Sequence, residues 1–231
     1  MGNPEFDAFA AQYDEDLERG LALTGESKDY YARRRLEWLA RRLGSNVRVD
    51  RVLDFGCGTG TSVPLLREVL GAREVVGVDP SGASLERARA EHGGEGVSFA
   101  LPGEPAAAGP FDLAFCNGVF HHIPPAERLE AVASVVRSLR PGGWFACWEN
   151  NPLNPGTRIV MRRVAFDRDA IMLRSGELAG LFRRAGIAVV RVDFLFVFPR
   201  FLRIFRPLEP LVTALPLGGQ YLVLGRRPEQ G

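Results

Sequence analysis

Apolar runs alternate with segments of helical periodicity along this chain, and the alternation predicts an α/β fold. Short apolar runs typical of buried parallel strands occupy Val52–Phe55, Val75–Val78, Val97–Leu101, Phe111–Cys116 and Trp144–Trp148. Segments with apolar residues at helical spacing lie around them, at Asp29–Leu43, Ser62–Leu70, Ser81–His92, Pro125–Leu139 and Ser175–Ala185. Two further strands are predicted at Val189–Phe198 and Gln220–Gly225. Strands that alternate with helices in this way are typical of βαβ units and a parallel sheet.

The first strand, helix and second strand form a βαβ unit that carries a candidate ligand site. Three glycines, Gly56, Gly58 and Gly60, follow the first strand, and Asp79 ends the second. Glycines in such a turn let the backbone pass close to a ligand, because no Cβ stands in the way. An acid about 20 residues past the glycines can accept both ribose hydroxyls of an adenosine cofactor. We therefore predict an adenosine-containing cofactor, with Asp79 on its ribose.

The spacing of the glycines separates two classes of cofactor. Dinucleotide-binding turns follow G-x-G-x-x-G, whereas this turn reads G-x-G-x-G and has Thr61 at the position of the third dinucleotide glycine. Asp54 lies two residues before the first glycine, where an acid would repel a pyrophosphate. The same acid can bind the amides of the turn or a cationic amino group. A nicotinamide-dependent oxidoreductase is therefore the less favoured interpretation.

Five stretches together resemble the class I S-adenosylmethionine-dependent methyltransferases, in their small-molecule (type 11/12-like) branch. These are VLDFGCGTG (52–60), VVGVDPS (75–81), FDLAFCNGVFHHIP (111–124), LRPGGWF (139–145) and the aromatic N-terminal stretch 6–14. The resemblance implies a Rossmann-like, doubly wound, seven-stranded, mostly parallel sheet with the last strand antiparallel, and helical cap elements. It also implies S-adenosylmethionine as cofactor and S-adenosylhomocysteine as product.

The resemblance further implies one methyltransferase domain over residues 1–231. Its predicted parts are an N-terminal helical flap (1–45), a cofactor-binding half (46–150) and a substrate-side half (151–231) with two cap insertions, here called the first cap segment (153–174) and the second cap segment (199–217). The first is the least regular part of the sequence. In the second, Phe201, Phe205 and Leu208 share one face and arginines the other. We expect this face to pack on the domain's own sheet edge; a lipid-facing lid that touches a membrane surface is the alternative.

Eleven residues are predicted to contact the cofactor, from the glycine turn, from the strand ends and from the flap. They are Tyr13, Asp54, Gly56, Cys57, Gly58, Asp79, Pro80, Leu101, Pro102, Asn117 and Gly118. Relatives carry an acid just after the third strand that receives the adenine amino group. Glu104 stands later than that position, so the backbone at Leu101 and Pro102 is expected to contact the adenine instead.

His121 and Glu149 are the candidate catalytic residues, since each follows or ends a strand at the edge where ligands bind in open α/β sheets. His121 is a candidate general base, and its neighbour His122 is expected to face elsewhere. Burying Glu149 without partners would cost a few kcal/mol, so it is a candidate for substrate, methionyl or proton contacts. One of the arginines at 33–35 is a candidate for the methionyl carboxylate, and the sequence does not single it out.

Composition excludes several classes of partner. A net charge of +1 does not suggest a nucleic-acid partner, which would need a basic face. Three cysteines without a C-x-x-C pair favour a reducing compartment over a disulfide framework, and no metal-ligand spacing is present. No apolar run of 18 residues and no signal pattern occur, so we expect a cytoplasmic protein with at most peripheral membrane contact. The sequence leaves the oligomeric state open.

The predicted function is transfer of a methyl group from S-adenosylmethionine to an O, N or C nucleophile of a small hydrophobic molecule, lipid-like or aromatic. The apolar second cap segment is the basis for that acceptor class. A non-catalytic S-adenosylmethionine-binding protein is the alternative, and an oxidoreductase the less favoured one.

Overall fold

The computed structural model describes residues 24–164 and 170–229. Tyr13 and the part of the predicted flap before residue 24 lie outside the described residues. Seven strands form one sheet in the order β3-β2-β1-β4-β5-β7-β6. They are β1 (Arg51–Phe55), β2 (Glu74–Val78), β3 (Val97–Ala100), β4 (Phe111–Asn117), β5 (Leu139–Asn150), β6 (Ala188–Leu195) and β7 (Gln220–Arg226).

Seven α-helices and two longer 3₁₀ segments are described around this sheet. The helices are α1 (Lys28–Leu43), α2 (Val63–Leu70), α3 (Gly82–His92), α4 (Arg128–Ser138), α5 (Pro155–Arg163), α6 (Ser175–Arg184) and α7 (Glu209–Val212). The 3₁₀ segments are Pro105–Ala108 and Arg200–Leu208. The first cap segment, predicted to be irregular, contains α5, because Asn154 caps that helix by accepting from Thr157 N at 3.0 Å.

The sheet confirms the predicted fold class. Strands β1 to β5 pair in parallel, and β7 runs antiparallel to both β5 and β6. The chain moves outward from β1 in one direction and from β4 in the other, so the strand order reverses between these two strands. In open α/β sheets a ligand binds in the crevice at such a reversal, at the carboxyl ends of the strands.

Two hydrophobic cores cover the two faces of the sheet. Adjacent residues of β1 belong to different cores, Val52 to one and Leu53 to the other, because side chains alternate across a strand. The Leu53 core packs α4 and α6 on the sheet, and the Val52 core packs α1, α2 and α3. With both faces covered, the central strands are apolar throughout, which is why they could be recognised as short continuous runs.

Strand β6 ends three residues earlier than predicted. The prediction continued it to Phe198, but Phe196 has a φ of 65°. A positive φ is costly for an aromatic residue and turns the chain out of the extended conformation. The turn directs residues 196–199 along the edge of the sheet and into the second cap segment.

The second cap segment does not bury its apolar face as expected. No residue of its 3₁₀ part is buried, and the side chains of Phe201, Ile204 and Leu211 are 78%, 77% and 80% exposed. Within the described part of the chain, no helix combines the length and apolar character needed to cross a bilayer.

Candidate active site

The glycine turn has a backbone that other residues could adopt only with strain. Gly56, Gly58 and Gly60 have φ angles of 72°, 52° and 79°, in the region that favours glycine. A Cβ added at Gly56 would lie 2.3 Å from Cγ2 of Val119, so the turn packs directly against the loop that follows β4. The amides of Gly56 and Cys57 both donate to the carbonyl of Val78, at 2.7 and 3.1 Å. These contacts join the ends of β1, β2 and β4 into one compact edge.

Asp79, the predicted ribose-binding acid, lies across the turn. One carboxylate oxygen accepts from Gly58 N at 2.9 Å, and the other accepts from Ser81 N at 2.9 Å. These bonds hold the carboxylate at the carboxyl end of β2. Pro80 follows Asp79 and is exposed.

Asp54 is buried beneath the turn, with 2% of its surface exposed. Burial, together with the nearby Asp79 carboxylate, raises its pKa from 3.8 to about 7. Its Oδ2 has no hydrogen-bond partner among the described residues. The neighbouring Cys57 is also buried, and burial, with the two carboxylates, raises the pKa of its thiol well above the usual range. A positively charged group placed here would favour the ionised form of Asp54.

Glu104 lies close to the end of β3. Its carboxylate turns back and accepts from Leu101 N at 3.1 Å. Leu101 is half-buried, and Pro102 is exposed. The acid and the backbone of Leu101 therefore lie at the same place, where adenine contacts were predicted.

A cavity of about 420 Å³ opens at the carboxyl ends of β4 and β5. Asn117 and Gly118 line it from the end of β4, and Asn150 lines it from the end of β5. The Oδ1 atom of Asn117 is buried and has no partner among the described residues. The opposite wall is apolar, with Met161 and Phe196 among its residues. This combination of an apolar wall and a few placed polar groups is typical of a site for a small organic molecule.

A buried histidine–glutamate pair lies at the inner end of the cavity. His121 Nδ1 is 2.6 Å from Glu149 Oε2, and the two side chains are 3% and 1% exposed. The other carboxylate oxygen of Glu149 accepts from Val119 N and Phe120 N, at 3.0 and 2.7 Å. Glu149 is therefore held by two amides and orients the imidazole. With Nδ1 directed at the carboxylate, Nε2 is the nitrogen that can accept a proton.

Two expectations about this pair need correction. His122 was expected to face away from His121, but both line the cavity, with ring centroids 4.1 Å apart. Glu149 was a candidate for direct substrate contact, but it does not line the cavity and lies behind His121. The structure thus joins the two predicted catalytic residues into one unit in which only the histidine reaches the cavity.

The structure distinguishes the three arginines of α1. Arg33 forms a bidentate pair with Glu68 at the surface, at 2.9 and 2.8 Å. Arg34 pairs with Glu37 at 3.1 Å. Arg35 is buried, lines the cavity and donates from Nη1 to Gln220 Oε1 at 2.9 Å. Of the three, Arg35 is the one that faces the site.

Several cavity residues were missed by the sequence analysis. Tyr31 and Phe196 form an edge-to-face pair with centroids 4.8 Å apart, and both line the cavity. Gln220 and Thr157 contribute polar atoms from β7 and α5. These residues belong to no local motif, so nothing in the sequence near them marks them. Only the packing of α1, α5 and β7 around one space brings them together.

Comparison with known proteins agrees with this geometry. Residues 52–143 match the methyltransferase-domain family. A trans-aconitate 2-methyltransferase of Rhodopseudomonas palustris is 35% identical over 130 residues, which are 55% of this chain and 50% of the relative. A ribosomal protein L11 methyltransferase of Ralstonia pickettii is 34% identical over 142 residues, which are 61% of this chain and 43% of the relative. The matched region therefore spans about half the length of these curated relatives or less.

Solved structures share the fold over nearly the whole chain. The methyltransferase in a complex with the Haloferax volcanii Trm112 methyltransferase activator superimposes with a TM-score of 0.66 at 23% identity, covering 100% of this chain and 99% of its own. A geranyl diphosphate C-methyltransferase of Streptomyces coelicolor, solved with S-adenosylhomocysteine, superimposes with a TM-score of 0.62 at 18% identity. The match covers 94% of this chain and 98% of that protein.

The fold, the glycine turn and the matched region define the class of protein. Residues 52–143 carry the match to the methyltransferase-domain family, which supports the predicted class, the S-adenosylmethionine-dependent methyltransferases. S-adenosylmethionine is the cofactor of that class, as predicted. The site also fits this cofactor: two buried acceptor atoms, Asp54 Oδ2 and Asn117 Oδ1, lack partners among the described residues, and both suit a cationic amino group.

Proposed function

We propose that this protein transfers a methyl group from S-adenosylmethionine to an oxygen or nitrogen nucleophile of a small, largely apolar molecule. The observation that carries the proposal is the buried His121–Glu149 pair, in which His121 lines the cavity and Glu149 supports it from behind. Val119 links the two places, because it packs on Gly56 and its amide donates to Glu149. A proton acceptor and a cofactor turn are thereby adjacent at one strand edge.

The cofactor would be held by residues at the carboxyl ends of four strands. Asp79 takes the ribose hydroxyls, the region of Leu101 and Pro102 takes the adenine, and the glycine turn passes beneath the ligand. Asp54 and Asn117 supply acceptors for the cationic amino group, and Arg35 is placed to bind a carboxylate. When bound, S-adenosylmethionine supplies an electrophilic methyl group on a sulfonium.

His121 acts as the general base in this proposal. Its Nε2 accepts the proton of the acceptor's O–H or N–H group as the nucleophile attacks, and Glu149 stabilises the resulting imidazolium at Nδ1. The buried carboxylate also fixes the ring orientation before reaction. General-base catalysis of this kind contributes about 10²–10⁴-fold. The remaining contribution is alignment of the two reactants in a cavity that excludes water.

The apolar wall supports an acceptor with a hydrophobic body. Val160, Met161, Phe196 and Phe198 line the cavity from α5 and from the segment after β6. The relatives named above act on chemically different acceptors, a tricarboxylate and a ribosomal protein by their names, so they do not select one for this chain. A non-catalytic protein that binds the cofactor is the alternative function.

Cofactor binding is tested by calorimetric titration with S-adenosylmethionine and S-adenosylhomocysteine. Asp79→Ala is expected to weaken both by 100-fold or more, because two charge-assisted hydrogen bonds to ribose are lost and the turn loses its own support (about 1.5–3 kcal/mol per bond). The matched control is Asp112→Ala. Asp112 also accepts two backbone amides, from Asp50 and Arg51, but at the opposite end of the sheet. Equal affinities for the wild type and Asp79→Ala would contradict the assigned site.

The base is tested by an acceptor screen of phenols, quinones and lipids that measures S-adenosylhomocysteine release. Glu149→Gln keeps an acceptor for the amides of Val119 and Phe120 but presents a donor to His121 Nδ1. The imidazole would then carry its proton on Nε2 and could not act as a base. We expect turnover to fall by about 10²–10⁴-fold with nearly unchanged cofactor affinity. His121→Ala should lower turnover by a similar factor. Full turnover in both variants would exclude the assigned base, and cofactor binding without turnover of any acceptor would favour the non-catalytic alternative.

A further inference from the structure

In the second cap segment (199–217), the polar side chains of Arg206 and Glu209 are directed inward and most of the apolar side chains outward. This is the reverse of a helix that packs on its own domain. Phe201, Ile204, Phe205, Leu208 and Leu211 recur at helical spacing, and each is between 46% and 80% exposed. Leu215 and Leu217 extend the exposed set, at 50% and 53%. Isolated exposed apolar residues are ordinary, whereas a continuous set of this size marks an interaction surface.

Polar contacts fix the inner side of the segment. Arg206 donates to the carbonyl of Phe198 at 3.1 Å and pairs with Glu26 at 2.8 Å. Glu209 is buried and accepts from Val197 N at 2.8 Å. These polar contacts, in which Glu209 is buried and Arg206 partly buried, determine which side of the segment faces the protein. The outward direction of the apolar side chains is therefore built into the fold.

The charges around this surface are positive. Arg200 and Arg203 are exposed beside the apolar set, and the one acid between residues 199 and 217, Glu209, is buried. Helix α5, which lines the same cavity, adds three exposed arginines, Arg158, Arg162 and Arg163. An apolar surface bordered by arginines and lacking an exposed acid in its own segment complements an anionic lipid headgroup layer.

The surface is continuous with the cavity. Phe201 is 78% exposed and also lines the cavity, and Ile159 of α5 is 47% exposed and lines it as well. These two residues therefore form an apolar path along which a molecule could pass from the surface into the cavity. The mouth of the proposed active site opens where the protein would meet a lipid phase.

We propose that the second cap segment docks on an anionic membrane surface, and that a lipid-like acceptor enters the cavity from that surface. The docking part stands on the exposed residues alone, and the entry part rests on the proposed function. The short helical elements lie in the plane of the interface in this arrangement, with arginines at the headgroups and Ile204 and Leu211 among the acyl chains.

The experiment is cosedimentation of the full chain with vesicles of phosphatidylcholine alone or mixed with phosphatidylglycerol. We expect binding to the mixed vesicles that weakens with added salt. Arg203→Gln should lower the partition coefficient about fivefold, because one basic residue near an anionic surface contributes about 1 kcal/mol. Ile204→Ser and Leu211→Ser should each lower it about tenfold or more. None of these three residues lines the cavity.

Matched controls use exposed residues outside the segment. Val190→Ser removes an apolar side chain that is 53% exposed on β6, and Arg183→Gln removes an exposed arginine of α6. Both should leave the partition coefficient unchanged. If they lower it as much as the cap variants do, binding is nonspecific and the proposal fails.

Other outcomes would overturn the docking in distinguishable ways. A chain that dimerises in sedimentation, and whose dimer is lost in Ile204→Ser, uses the surface for a second copy. If the chain is a monomer and binds neither vesicle type, the surface does not dock on a membrane, and the docking proposal fails. Calorimetry with S-adenosylmethionine on the same samples separates the two proposals. Normal cofactor binding without vesicle binding removes the docking alone, and vesicle binding without cofactor binding removes the proposed function alone.

Discussion

The buried Asp54 carboxyl should make the stability of the cofactor-free protein fall as pH rises. Its pKa is raised from 3.8 to about 7, by burial and by Asp79. Between these two values the folded protein holds a proton that the unfolded chain has released. The unfolded state then binds fewer protons than the folded state, so the free energy of unfolding decreases with pH across this window and levels off above about 7.

The magnitude follows from the two pKa values. The difference between 3.8 and about 7, at 1.36 kcal/mol for each pKa unit, gives up to about 4 kcal/mol. That is a large part of the free energy of unfolding of a typical domain, about 5–15 kcal/mol. Asp54→Asn has nearly the same shape and removes the titrating group. We therefore expect the free energy of unfolding of the variant to increase relative to that of the wild type as pH rises, by up to about 4 kcal/mol between pH 4 and pH 8.

The assay is urea denaturation of both proteins without cofactor, followed by circular dichroism at pH steps from 4 to 8. Asp112→Asn is the control, because its pKa is shifted in the opposite direction. Burial tends to raise it, but the bond from Arg140 and the amides of Arg51 and Asp50 lower it overall. The Asp112 carboxylate stabilises the folded protein fully above the unfolded-state pKa of about 3.8. The difference in free energy of unfolding between Asp112→Asn and the wild type should therefore stay constant above pH 5. A constant difference for Asp54→Asn as well would refute the assigned pKa.

Two further predictions concern stability and use urea denaturation at one pH. Gly56→Ala should lower the free energy of unfolding by about 2–4 kcal/mol, since the φ of Gly56 is 72° and the new Cβ would lie 2.3 Å from Val119. Gly71→Ala is the control, because Gly71 has a φ of 71° but no atom within 4 Å of the new Cβ. It should lose only the backbone strain, about 1–2 kcal/mol. Equal losses would mean that the Val119 contact relaxes. Arg128→Met should cost about 3–5 kcal/mol, because this buried side chain supports two backbone carbonyls and Glu177, whereas the exposed Arg137→Met should cost under about 1 kcal/mol.

The fold and the cofactor turn could be predicted because their signals are local. Each central strand is buried on both faces and therefore appears as one short apolar run. The glycine turn and Asp79 lie within one βαβ unit, so their spacing in the sequence corresponds to their spacing in the structure. The N-cap of α3 is equally local, because Ser81 accepts from Ser84 N, three residues along the chain, at 3.1 Å. The end of β6 was wrong because nothing in the sequence marks the positive φ of Phe196.

The arrangement of the candidate site depended on contacts between distant residues. His121 and Glu149 were each identified from the sequence, but their pairing across 28 residues decides that one faces the cavity and the other supports it. Arg35 is distinguished from its neighbours by a contact 185 residues away, with Gln220.

The sequence by itself determined the seven strands and most of the helices around them, the position of the glycine turn and the residue types at the strand ends. The tertiary structure decided which of those side chains are buried, which face the cavity and which side of the second cap segment faces solvent. For that segment the sequence shows only that apolar and basic residues lie on different faces. Its direction is set by Arg206 and Glu209, whose partners Glu26 and Val197 lie elsewhere along the chain. Periodicity determines that a segment has two faces, whereas its orientation depends on the partners that the fold brings near.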